Sequence, residues 1–260
     1  MSPALRFCVP AYAALRRWPA ALRARATWAA TWLALVAVPG AAQSPAAKAP
    51  VRLDEGSFTI TLNGQRAGRE QFSIQQVTAA DGATLEVRAE SAVSDRRSAM
   101  RLDADSAGTP VRYSVEERRG AELTLRLGGQ RVRGRFATLA RSLTGEAARE
   151  YMLRPGAVVV EEDGIVQHAL LVRGAAATTT TGVTLPSLTP IANAQGVVRI
   201  VPEADGDIVA IAGVRIPARR WRCVTNDGEV RLVWTDVEGH LLRLSIPARN
   251  LDALRDDVPR

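Results

Sequence analysis

SFTITLNGQRAGREQFSI, residues 57–74, reads as two strands and the turn between them. Phe58, Ile60 and Leu62 fall on one face and Ser57, Thr59 and Thr61 on the other, a period of two that suits a strand and not a helix. Asn63-Gly64 follows at once, a dipeptide that tolerates the positive φ of a two-residue hairpin turn. Past the turn Phe72 and Ile74 resume the apolar face, and Glu70 shares their parity. That carboxyl has two readings. Either the buried part of the strand begins at Phe72, or Glu70 enters the core or a cavity. In the second case lost hydration raises its pKa unless a base pairs with it, which makes it a functional candidate.

The same alternation spreads outward from this hairpin. Leu85, Val87 and Ala89 alternate with Thr84, Glu86, Arg88 and Glu90, and Val111, Tyr113 and Val115 with Arg112, Ser114 and Glu116. Leu123, Leu125 and Leu127 alternate with Glu122, Thr124 and Arg126. Asp81-Gly82, Gly128-Gly129, Asp205-Gly206, Asp227-Gly228 and Glu238-Gly239 read as further turns. Short strands joined in this way predict a mainly β protein: a curved antiparallel sheet, half-barrel or open barrel, with one short helix and a long loop. The helix is DGIVQHALLVR, residues 163–173, with Asp163 as its cap. The loop is the uncharged GAAATTTTGVTLPSLTP, residues 174–190. An N-terminal β lobe then covers residues 55–173, a C-terminal lobe at 191–250 completes the same sheet, and 251–260 is a polar tail.

The N-terminus supplies the address. Residues 1–25 carry five arginines and no acid, an apolar run ATWAATWLALVAV occupies 26–38, and small residues follow. That order is an export signal over residues 1–42, too short in its apolar part for the roughly 20 residues of a membrane span. Residues 43–54 read as a disordered tether. Removing the signal takes five of the 34 basic residues and none of the 27 acidic ones, so the net charge of +7 falls to +2. With no unpaired basic cluster, nucleic acid is not an expected partner. Cys8 leaves with the signal, so Cys223 stands alone and reads as packing. No cysteine follows the apolar run, so the expected product is periplasmic or secreted and not a lipoprotein, with no stable membrane span.

The chemistry-bearing motifs are sparse. His168 and His240 are not in metal-binding spacing, and both read as non-catalytic, the first packed or on a helix surface and the second in a solvated hairpin. Neither a nucleophile elbow nor a phosphate-cradling glycine loop occurs. The acidic pairs Glu116–Glu117, Glu161–Glu162 and Asp256–Asp257 read as solvated charges, because neighbours on a strand point to opposite faces. No metal, cofactor or catalytic residue is expected. Phe58, Phe72, Met100, Tyr113, Phe136 and Trp234 are the bulky inward side chains and the candidate lining of an apolar groove; the other reading is a filled core.

The spacing FxxxxxGxxxGxxxFxI, met here by Phe58, Gly64, Gly68, Phe72 and Ile74, resembles an uncharacterised family of exported bacterial β-rich domains. DGIVQHALLVR and VWTDVEGHLLRLSIPA resemble that group's short helix and C-terminal hairpin. The likeness spans roughly residues 55–248 in layout. It implies a fold similar to the half-barrel of periplasmic lipoprotein carriers and suggests no catalytic residue. The expectation is an exported, non-catalytic protein binding a lipid or acyl chain in its concave face. The alternatives are an envelope scaffold or interaction module with a filled core, working through sheet edges or the 174–190 loop, and a hydrolase in which Glu70, His168 or His240 converge.

Overall fold

The computed structural model describes residues 49–79, 82–176 and 181–260. The expected export signal (1–42) and the first part of the expected tether lie outside them. In chain order the strands are β1 (Val51–Leu62), β2 (Gln65–Ala79), β3 (Gly82–Val93), β4 (Arg96–Asp105), β5 (Pro110–Arg119), β6 (Glu122–Val132), β7 (Arg135–Ser142), β8 (Gly145–Met152) and β9 (Val158–Val159). The helix α1 (Gln167–Ala176) follows, then β10 (Val183–Thr189), β11 (Ala194–Ile211), β12 (Val214–Val224), β13 (Val230–Thr235), β14 (Leu241–Ile246) and β15 (Leu251–Arg255). They form one sheet in the order β8-β7-β6-β5-β4-β3-β2-β1-β15-β14-β13-β12-β11-β10-β9, antiparallel except where β9 meets β10. The expected mainly β, open antiparallel sheet is what the chain builds.

The connection from β8 to β9 forces the sheet to curl. Laid flat at about 4.8 Å per strand, the two edges would stand roughly 67 Å apart. The five residues 153–157 join those edges, and five extended residues reach only about 18 Å. The edges are accordingly near each other. Tyr151 on β8 donates its hydroxyl to Asn193 Oδ1 (3.1 Å), and Gln195 Nε2 donates to the Met152 carbonyl (2.7 Å). The interior between them is filled mostly by apolar side chains of both halves, closed by α1, which packs on β9, β11, β13 and β14.

The opening hairpin forms as expected. Asn63 and Gly64 both take positive φ, 51° and 75°. Gly68 is required by crowding: a Cβ there would come within 2.1 Å of the Ala92 carbonyl oxygen on the neighbouring strand.

Five expectations fail for identifiable reasons. Gly128-Gly129 is no turn but the middle of β6, where a Cβ on Gly129 would collide with the buried Phe136 ring at 2.6 Å. Asp205-Gly206 is a register irregularity inside the long strand β11. The loop at 174–190 contains β10; its Pro186 is tolerated because β9 pairs only with Ser187 and Leu188, leaving that side of the strand open beside it. The tether ends earlier than residue 54, since β1 starts at Val51 and Asp54 is buried. The polar tail at 251–260 contains β15, a central strand between β1 and β14. Its Arg255 is buried and paired bidentately with Asp54, Nη1–Oδ2 at 3.0 Å and Nη2–Oδ1 at 2.8 Å. Asp256 receives the hydroxyls of Ser57 and Thr59, and Asp257 the Ser57 amide. These acids are therefore structural partners, not solvated charges.

Candidate functional site

The sheet's inner face keeps one recess under the start of α1. It measures about 280 Å³, and its apolar wall is Ala89, Met100, Tyr113 and Val115 from β3, β4 and β5. Residues 161–164, Gln167 and residues 191–192 form the opposite wall. A larger depression of about 580 Å³ lies against Arg88, Arg101, Arg126 and Arg141, but it is more open and its charges are mutually paired, as in Arg126–Glu116 at 2.8 Å and Arg101–Glu86 at 2.8 Å.

Glu70 enters this recess, so the second of its two readings holds. It is 2% exposed and its carboxylate accepts the amides of Val166 (2.8 Å) and Ile165 (3.3 Å). These amides lead into α1, so a side chain from β2 does the capping expected of Asp163. Asp163 turns instead to Arg96 and Arg249, and α1 starts at Gln167, four residues later than expected. Burial pushes the Glu70 carboxyl up to about 7, against the opposing pull of the two amides.

A second carboxyl shares the recess. Glu161, expected to be solvated, is 4% exposed. Its Oε1 accepts the Ile191 amide at 3.1 Å, and its own amide donates to Gln167 Oε1 at 2.7 Å. Burial raises it to about 7, with the charges of Glu117 and Glu162 adding to the effect and the Ile191 amide and the Tyr113 phenol opposing it. The phenol opposes it as a hydrogen-bonding neighbour, although Oε2 makes no hydrogen bond of ordinary geometry among the described residues. Tyr113 is itself raised well above the usual phenol range, first by burial and then by the Glu161 charge.

The charges sort by depth. At the mouth, Asp163 and Glu117 pair with Arg96, while Glu162 lies 3.4 Å from Arg249. At the floor, Glu70 and Glu161 have no salt bridge among the described residues.

The six side chains expected to line a groove do not do so together. Met100 and Tyr113 line the recess. Phe58, Phe72 and Phe136 are core, the first two stacked with centroids 5.0 Å apart. Trp234 belongs to a separate cluster with Val209, Ile211, Ala218 and Leu242, its Nε1 donating to Asp207 at 2.7 Å. Its strand neighbour Val233 faces the main core, so the two point to opposite sides of the sheet.

The histidines do not join Glu70 in the recess. His168 is fully buried with Nδ1 at 3.1 Å from the Ile165 carbonyl and Nε2 at 3.3 Å from Arg231; burial and then the Arg231 charge lower it to about 3. His240 is not solvated but held by Asp236 at 2.8 Å, a bond that raises its pKa. Cys223 is packed in the core and its thiol is pushed up to about 12 by burial. Among the described residues no group of three or more His, Cys, Asp or Glu is arranged to hold a metal ion, and no helix is long and apolar enough to cross a membrane.

Glu161 is the functional residue that the sequence reading missed. Its signal was the unbroken apolar run at 157–160 just before it, which carries the chain into the core. No family model, no curated protein and no solved structure matches this chain.

Proposed function

We propose that this is an exported, non-catalytic binding protein of the bacterial envelope that holds a ligand with an apolar body in the concave face of its sheet. The observation that carries this reading is the recess itself. Ala89, Met100, Tyr113 and Val115 give it an apolar wall, and carboxyls at fixed positions give it polar anchors, the composition usual for ligand sites. At about 280 Å³ it lies near the lower end of the roughly 300–1,000 Å³ typical of such sites. That size suits a short chain or one acyl segment in preference to a whole lipid, because Phe58, Phe72 and Phe136 already occupy the remaining interior. The arginine-rich start and apolar run of residues 1–38 support export.

Native mass spectrometry of protein purified from its own envelope tests the reading, together with displacement of an apolar fluorescent probe. The expected result is a bound mass or a displaceable probe, both lost in Met100→Trp, which fills the recess. A ligand-free protein that ignores the probe overturns it.

A second reading, as an interaction module of envelope assembly, draws on β8. Seven of its eight residues are exposed, Tyr151 being the exception, and it ends the sheet with unpaired backbone groups. Crosslinking from Arg149 to a partner protein would favour that reading.

A further inference from the structure

Two buried carboxyls at the floor of one recess, both without a cationic partner, ask for a positive charge. A polar atom buried without a partner costs about 1–3 kcal/mol, and more when it is charged. Glu161 Oε2 is in that position: the residue is 4% exposed, lines the recess, and has no hydrogen bond to this oxygen. Glu70 meets only backbone amides. The arginines nearby are committed elsewhere. Arg96 serves Glu117 and Asp163, and Arg249 serves Glu229 at 2.5 Å. Arg231 donates to the Glu161 carbonyl but lies against the Glu229 carboxylate at 2.9 Å.

We infer that the ligand carries a cationic nitrogen, a primary ammonium or similar organic cation, which sits against the unpartnered Glu161 Oε2 while its apolar portion lies on Met100, Tyr113 and Val115. This rests on the binding reading above and names the head group of its ligand. An organic cation fits better than a metal ion, because two carboxyls beside an apolar wall do not make a metal-ligand set. A fatty acid fits poorly, since its carboxylate would face two more. The ion pair forms in a site removed from water, where a charged hydrogen bond is stronger than at the surface.

The pH dependence follows from the groups facing the site. Glu70 meets no charged group, while Glu161 faces Tyr113, Glu117 and Glu162. His168, packed nearby on α1, is neutral throughout the useful range. The cation therefore binds when Glu161 is ionised and loses affinity as it protonates.

Hexylammonium, hexanol and hexanoate share one apolar body and differ in the head group, so calorimetric titration of the whole exported protein with all three separates the two claims. At about pH 8 the expected order is hexylammonium tightest by at least about tenfold, then hexanol, with hexanoate weakest. Glu161→Gln should remove that preference, bringing hexylammonium to the level of hexanol, and a cooperative urea unfolding transition shows that the variant is folded. With a carboxyl near 7, hexylammonium affinity should fall roughly a hundredfold between about pH 8 and about pH 5. Equal binding of hexanol and hexylammonium overturns the cation and leaves the apolar reading standing. Ammonium binding that ignores Glu161→Gln also overturns it. Failure of all three probes removes both claims.

Discussion

Replacing Glu70 with glutamine should make the protein more stable at alkaline pH, an unusual outcome for a buried polar residue with two hydrogen bonds. Glu70 is 2% exposed, and burial lifts its pKa from 4.5 to about 7 even though it accepts the Val166 and Ile165 amides. A raised carboxyl means that the folded state holds a proton which the unfolded chain has released. Stability from this group is therefore complete below pH 4.5, declines as pH rises, and is lost above about 7. At about 1.4 kcal/mol per pKa unit, the loss is roughly 3 kcal/mol. Glutamine keeps a carbonyl oxygen for one of the two amides, which donate to different oxygens of Glu70, and never ionises. At about pH 5 it should lie within about 1 kcal/mol of the native protein, the range of one hydrogen bond, and at about pH 8 it should be more stable by roughly 3 kcal/mol. Urea unfolding followed by the fluorescence of the buried Trp221 gives both numbers. Parallel pH curves for the native protein and Glu70→Gln would refute the claim that this carboxyl is desolvated.

Three more outcomes test the fold. Arg255→Met leaves Asp54 buried and unpaired, so it should cost about 3–5 kcal/mol, while the double variant with Asp54→Leu should recover most of that in chemical denaturation; a single variant with native stability would refute the pairing. Ending the chain after Asn250 deletes β15 from between β1 and β14, so near-ultraviolet circular dichroism should show no ordered core, whereas a folded product would restore the reading of a tail. Cys223 should resist a thiol reagent in the native protein and react fully in denaturant, because the thiol is fully buried and its pKa is about 12; quick native reaction would contradict that packing.

Alternation made most of the sheet legible. Where each strand has one wet face, as around Phe58 and Ile60 or Tyr113 and Val115, polar residues mark every second position and the strand is evident from its own residues. Failures cluster where the deciding partner is distant in sequence. Arg255 occupies an inward position that reads as polar until Asp54, 201 residues away, is placed against it. Gly128 and Gly129 carry turn chemistry, yet they lie within a strand, where the space that Gly129 leaves is taken by Phe136 from the next strand. Asp163 looks like the helix cap, but Glu70, 95 residues before Ile165, reaches the free amides first. The candidate site was half visible for the same reason. The parity of Glu70 marked it for the interior, whereas Glu161 follows an apolar run with no alternation to declare its direction.

Two desolvated carboxyls line the recess, and carbon-13 NMR of glutamate side-chain carboxyls reads them directly. Two resonances should titrate near 7, apart from the ordinary glutamates at about 4.3, one vanishing in Glu70→Gln and the other in Glu161→Gln, and hexylammonium should draw the Glu161 resonance downward. A spectrum in which every glutamate titrates in the ordinary range would contradict their desolvation.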